Sequence, residues 1–306
     1  MKLVTYLAPA AAPRLGAVVN DLIYDVAGLA QACGASLPST MLEFLALGEV
    51  GMERARGLLA RIPVAGWPGI AQSAVQILAP IPRPPKVLAL AGNFQEHIKE
   101  AGYAPVNKER ITPRPFIKPA TCVIGPHQPV FLQRATQTTD WELELLIVVG
   151  RAGRYINVAD AMNYVAGYTI FNDISARTLE IAQGRDERNG DWFFDWLLGK
   201  WLDTYGPMGP YLVTTDEIPD PHNLAMKLYV NGKLMQDGNT SQMIFNVPET
   251  IAFMSNFITL EPGDVIASGT PSGVGATTGT YLKAGDVMRG EIEKLGSLVT
   301  PVQDEP

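Results

Sequence analysis

Between Thr139 and Gly150 the chain reads TDWELELLIVVG, and this stretch restricts the fold more than any other: it sets two acids, Glu142 and Glu144, inside a run that otherwise belongs in a core. The surrounding Leu143, Leu145, Leu146, Ile147, Val148 and Val149 predict a strand, in which residues two apart share a face. Both carboxylates then point the same way. Two like charges side by side in an apolar layer raise each other's pKa and are costly unless a cation lies with them. An oxygen-preferring divalent ion, Mg²⁺ or Mn²⁺, suits carboxylates with no thiolate or imidazole beside them. The competing reading is a surface strand whose wet face carries Asp140, Glu142 and Glu144. A third acid tips the balance: the β-forming run Val165 to Asn172, VAGYTIFN, ends at Asp173. Three carboxylates leave such an ion about three open positions, enough for a bidentate substrate and one water.

The rest of the chain gives this strand its setting. With 306 residues it can bury a full core and form one large domain plus a small one. Its 29 glycines and 24 prolines point to many turns rather than to a helical bundle. A formal charge of -7 with no Lys/Arg cluster argues against a nucleic-acid surface. Cys33 and Cys122 have no CxxC spacing and read as reduced, inert thiols. The opening MKLVTYLAPAAAPRLG has no sustained apolar run, so a cytoplasmic protein without a membrane span is expected.

From the start, Lys2 to Leu7 and Arg14 to Val26 predict short strands, with a hairpin turn at Asn20-Asp21. Thr40 caps a helix, with Glu43 completing a capping box, and Gly51 is the expected break before a second helical run, Met52 to Ala60. Pro63, Pro68, Pro80, Pro82, Pro84 and Pro85 make Ile62 to Pro85 an extended crossing segment. A division at about residue 80 follows, giving a small N-terminal domain over 1–80 and a catalytic domain over 81–306. A modest helix is expected from Asp160, capping Ala161 to Tyr164.

A buried strand, Lys86 to Ala91, runs straight into Gly92-Asn93-Phe94-Gln95-Glu96-His97-Ile98-Lys99-Glu100. On a helical turn His97 and Glu100 share a face, and a carboxylate beside an imidazole fixes its tautomer and raises its basicity. The alternative is a solvated helix with Glu96, Lys99 and Glu100 all in water. His127 and His222 read as turn and loop residues without zinc-ligand spacing. The Gly-rich GTPSGVGATTG, Gly269 to Gly279, has neither P-loop nor dinucleotide order and reads as a loop bringing Thr270 and backbone N–H groups close to an anion. Trp192, Phe193, Phe194 and Trp196 read as packing under a loop or at a subunit contact.

Together these segments resemble the fumarylacetoacetate hydrolase superfamily, and in particular its smaller bacterial members that act on short 2-oxo or 2,4-dioxo acids. The resemblance covers roughly Lys86 to Val299 and rests on GNFQEHIKE, RPFIKPATCVIGP, DWELELLIVVG, FNDISAR, GKWLDTYGPMGPYLVT, VNGKLMQDGNTSQMIF and LEPGDVIASGTPSGVG. It implies an α+β fold, with mixed β-sheets folded around a central metal site, and a homodimer. It places Glu142, Glu144 and Asp173 on the metal, His97 and Glu100 as the catalytic pair, Lys200 as the lysine that stabilises a developing enolate, and Arg177 and Thr270 at the substrate. After Arg177, many members of the family continue D-x-Q where this chain has Thr178-Leu179-Glu180, an acid that would alter the charge near a substrate's tail. The activity implied is hydrolytic C–C cleavage of a short 2,4-dioxo acid, an acylpyruvate or sugar-derived diketo acid, releasing pyruvate or a related 2-oxo acid. Decarboxylation of an oxaloacetate-type 2-oxo diacid and isomerisation of a 2-hydroxy-dienoate are the alternatives.

Overall fold

The computed structural model describes residues 1–62, 66–182 and 184–306; Pro63 of the expected crossing segment lies outside them. The fold is α+β, with mixed sheets and a clustered acidic site. The large sheet runs, strand by strand, Ile70–Ala71, Leu22–Asp25, Arg14–Val19, Lys2–Leu7, Gly206–Thr214, Val165–Asn172, Leu143–Val149, Val265–Ala267, Val87–Leu90 and Pro115–Lys118. A second sheet runs Lys233–Asn239, Ala225–Val230, Val287–Ile292, Gly296–Asp304 and Val130–Leu132.

Strand alternation assigns the two faces of the large sheet. Leu143, Leu145, Ile147 and Val149 pack toward the second sheet, against Met226, Leu228, Met288 and Leu298. Leu146 and Val148 pack on the other face, in the cluster that holds Phe44, Met52 and Phe171. Glu142 and Glu144 are in phase with Leu146 and Val148. The chemistry therefore sits on the face shared with the N-terminal helices, while the face toward the second sheet is mainly apolar. Each fully buried aliphatic side chain there contributes about 1.5–3 kcal/mol, which makes this the rigid backing of the site.

The N-terminal strands form a small subdomain that extends the large sheet, since Lys2 and Leu3 pair with Val213 and Leu212. The expected hairpin is present: Arg14–Val19 pairs with Leu22–Asp25, and Asn20 and Asp21 both have positive φ, the signature of a two-residue type I′ turn. Thr40 caps the Met41–Leu45 helix as expected, accepting from the Glu43 N–H. The helical break differs from expectation. It falls at Ala46 and Leu47, and Gly51 lies inside the Gly48–Leu59 helix, where a Cβ would meet Leu47 Cβ at 2.7 Å. Gly51 is there for close packing and not as a terminator. The expected Asp160 helix is a 3₁₀ segment, Val158–Tyr164, with Asn157 at its cap position. Among the described residues no helix is long and apolar enough to cross a membrane.

Candidate active site

Two strand ends and the loop that crosses them build the acidic cluster. Leu143 pairs with Asn172, and the pair is locked beyond the strands by Glu142 N–H donating to Asn172 Oδ1 (2.8 Å) and Asp173 N–H donating to the Glu142 carbonyl (2.8 Å). Glu144 Oε2 accepts from the Gly269 N–H at 2.7 Å, which joins the Gly-rich loop to the same site. Glu142, Glu144 and Asp173 are all buried, and one carboxylate oxygen from each lies within 4.8 Å of the others. The surface-strand alternative is thereby excluded, since Asp140 is buried as well.

Cationic side chains hold this charge in place. Lys200 Nζ bridges Glu142 Oε2 and Asp173 Oδ2, each at 2.7 Å, and Lys118 Nζ lies 2.6 Å from Asp173 Oδ1. Arg177 reaches Glu142 through Nη1 (2.7 Å) and Asp140 through Nε (2.8 Å). Burial pushes the Glu142 carboxyl up, but Lys200, Arg177 and His97 outweigh it and hold Glu142 far below the usual carboxylate range. Glu144 moves the opposite way: burial, then the charges of Asp173 and Glu142, push its carboxyl well above that range. Burial pulls Lys200 down, yet Asp173 and Glu142 more than offset it, so the buried amine stays an ammonium. Lys118, Lys200 and Arg177 thus pair with Asp140, Glu142 and Asp173, and Glu144 is the acid left without a cationic partner among the described residues. An all-oxygen donor set of this size, with Glu144 ionised by the incoming cation, fits a hard divalent ion.

The histidine pair stands on the short Gln95–Glu100 helix. His97 Nδ1 is 2.7 Å from Glu100 Oε1, and Glu100 Oε2 accepts from the Gly273 N–H at 2.8 Å. The carboxylate therefore binds the Nδ1–H tautomer and leaves Nε2 as the ring's free acceptor. The Gly-rich loop touches both halves of the site, through Gly269 at Glu144 and Gly273 at Glu100. Thr270 lies between them, but its hydroxyl donates to the Leu143 carbonyl (2.9 Å) and accepts from Gln236 Nε2 (2.8 Å). The hydroxyl braces the loop against the metal strand.

Several residues of the site lie outside the expected set. Lys118 is in phase with buried Phe116 in its strand, and that phase is the signal that marks it as inward-facing. Asp140 accepts from Gly275 and Ala276 N–H at 2.7 and 2.9 Å and anchors the loop from below; its place two residues before Glu142 is the corresponding signal. Asn93 bonds Phe245 in both directions and the Ser268 carbonyl, a long-range role with no local signature. The aromatic segment does not pack under a loop: on the Asp191–Lys200 helix Trp192, Phe193 and Phe194 are exposed on the single chain, and of the four aromatics Trp196 packs inward, edge-on to Phe116 at 4.9 Å and near Lys200. Glu180 is exposed, with its backbone N–H bound to the Ala135 carbonyl.

Sheets, acidic cluster and histidine pair together define one class of enzyme: the chain belongs to the fumarylacetoacetate hydrolase family, whose fumarylacetoacetate (FAA) hydrolase C-terminal region matches residues 86–303. It is similar to oxaloacetate tautomerase FAHD2B, mitochondrial, of Bos taurus, with 42% identity over 99% of this chain and 91% of that protein. It is 41% identical to oxaloacetate tautomerase FAHD2A, mitochondrial, of Homo sapiens, with the same coverage. Among solved structures it resembles the maleylpyruvate hydrolase of Sphingobium sp. SYK-6 in complex with manganese(II) and pyruvate, with a TM-score of 0.77, 29% identity and full coverage of both chains.

These relatives correct three expectations. Hydrolytic C–C cleavage of a 2,4-dioxo acid gives way, because the relatives at 41–42% identity, above the 29% of the hydrolase, are named oxaloacetate tautomerases. The physical reason is that the acidic cluster and histidine pair serve any reaction through an enolate, so these residues alone do not select hydrolysis. The cytoplasmic location is overturned as well, since those proteins are named mitochondrial; charge and cysteine spacing carry no address. The likeness to smaller bacterial members is replaced by one to vertebrate mitochondrial proteins.

Proposed function

We propose that this chain is a divalent-metal-dependent tautomerase that interconverts the keto and enol forms of oxaloacetate or a closely similar 2-oxo diacid. The observation that carries this reading is the His97 ring, held at Nδ1 by Glu100 with Nε2 left free, beside a buried oxygen cluster. The near end-to-end likeness to oxaloacetate tautomerases supports it. Tautomerisation takes one proton from C3 and places one on the 2-oxygen, so it balances with neither an attacking water nor a leaving group.

Glu142, Glu144 and Asp173 would hold the ion, Mg²⁺ or Mn²⁺, and a manganese-bound solved relative supports that choice. When bound, such an ion polarises the 2-oxo oxygen and makes the C3–H more acidic. His97 Nε2 takes the C3 proton and returns it in the reverse direction, while Glu100 steadies the imidazolium. The Lys200 ammonium stabilises the charge that develops on the 2-oxygen, and Arg177, whose Nη2 is buried without a partner, orients the substrate carboxylate. Thr270 and the Gly-rich loop hold the wall opposite the substrate. Under the same proposal the chain acts as a homodimer and divides at residue 80, a division supported by the family match beginning at residue 86. The test is deuterium exchange at C3 of oxaloacetate, followed by NMR with Mg²⁺. Exchange that depends on the protein and is lost in His97→Gln supports the reading; exchange equal to the protein-free rate refutes it.

A further inference from the structure

Next to the histidine pair lies a cavity of about 410 Å³ that the acidic cluster does not line. Its floor is the end of the Val87–Leu90 strand through Asn93, and His97 and Ile98 form one wall. The segment after the helix closes over it. Gln95 clamps that segment by donating to the Val106 carbonyl (2.6 Å) and accepting from the Val106 N–H (3.1 Å), and Lys108 pins it to Glu249 at 2.7 Å. The volume falls in the range of small-ligand pockets, roughly 300–1,000 Å³.

The cavity has an unusual charge pattern. Ile98, Val106, Ile111 and Phe245 make it mainly apolar, and no carboxylate lines it. Arg114 does line it, as an exposed residue at the rim whose guanidinium makes neither an ion pair nor a hydrogen bond among the described residues. Lys108, the neighbouring cation, is already engaged by Glu249. The Arg114 backbone is tied to the strand: its carbonyl accepts from the Ala91 N–H (3.0 Å), just beyond the Leu90–Pro115 pair that closes the strand ladder. The cation thus stands at the same strand end from which the His97 helix departs.

We propose that this cavity is the subsite for the far end of the substrate, with Arg114 binding the distal carboxylate of a 2-oxo diacid and the apolar wall standing beside the C3 methylene. The acidic cluster takes the 2-oxo acid head, His97 stands between the two, and Arg114 confers the preference for diacids over monoacids. The assignment rests on the tautomerase reading for the head group and deepens it by naming what the tail must carry.

The experiment separates the two. With Mg²⁺ present, calorimetry compares malate with 2-hydroxybutyrate, which keep the 2-oxygen and carboxylate head but cannot enolise, on wild type, Arg114→Leu and Arg114→Lys. A charge-assisted hydrogen bond at Arg114 predicts that wild type prefers malate and that R114L shrinks this preference roughly tenfold, with R114K restoring part of it. Equal weakening of both ligands in R114L, or a preference that survives in it, overturns the assignment, as does a wild type with no preference for malate. Thermal unfolding of R114L alongside wild type identifies any loss due to misfolding, in which case R114K carries the same comparison. Failure of C3 exchange in wild type, with an Arg114-dependent malate preference intact, refutes the tautomerase reading and supports the subsite.

Discussion

The two halves of the site are built by opposite means. Glu142, Glu144 and Asp173 stand in or at the ends of central strands of a sheet backed by a mainly apolar layer, and three cationic side chains reach Glu142 and Asp173 within 2.7 Å. His97 and Glu100 stand on a helix of six residues with no side-chain cap, too short to be stable alone, and tertiary contacts hold it: Glu100 to Gly273 and Gln95 to Val106. The acidic cluster is therefore rigidly backed and the histidine pair is positioned by its neighbours; under the proposed function the first holds the ion and the second moves the proton. Metal binding and proton transfer should accordingly be separable by mutation.

The largest expected effect comes from the rigid half. Asp173→Ala or Glu142→Ala removes a hard oxygen ligand, and Asp173→Ala also leaves the buried Lys118 charge unpaired, so metal binding and activity should fall together by roughly 10²-fold or more. Calorimetric titration with Mg²⁺ and Mn²⁺ checks this, and wild-type affinity in either variant would remove the residue from the metal set. In the histidine half, His97→Ala should lower kcat by roughly 10²–10⁴-fold, the scale of a general base, while metal affinity stays near wild type. A parallel loss of metal binding would erase the contrast between the halves.

Lys200→Met should lower kcat by about 10²-fold, as expected for a lost charge-stabilising donor, with little change in KM; a raised KM with normal kcat would mean ordinary ground-state binding. A pH effect sharpens the same half. The Glu144 carboxyl is pushed up by burial and by Asp173 and Glu142, so without metal it holds its proton to higher pH than a free carboxyl, and an ion must displace that proton. Metal affinity should then fall as pH drops below the raised pKa, by up to about tenfold per pH unit. Calorimetry in buffers of different ionisation enthalpy should show proton release on binding, and none would contradict the assignment. The smallest effect is expected of Gln95→Leu, which loses two hydrogen bonds at about 1 kcal/mol each and should raise KM severalfold without touching metal affinity.

How much of this was legible in the sequence follows from range. Glu142 and Glu144 were readable because strand alternation is local, and Asp173 because it ends a β-forming run. The His97–Glu100 contact was readable from helical spacing. Lys118 obeys the same alternation, but its partner Asp173 is 55 residues away, and a lysine in a four-residue strand is usually solvated. The joining of the N-terminal strands to the large sheet depends on Leu3 pairing with Leu212, which no local pattern encodes. The choice among enolate reactions was not legible, because hydrolysis and tautomerisation share the metal ligands and the base and differ in what occupies the remaining space.

The most direct test of the central claim follows the enol form of oxaloacetate after mixing with protein and Mg²⁺, by enol absorbance with parallel NMR of all carbon-bearing products. The enol should relax to the keto form far faster with wild type than with His97→Ala, and oxaloacetate should be conserved throughout. An enol decay no faster than in buffer, or decay accompanied by stoichiometric pyruvate and CO₂, would contradict the claim.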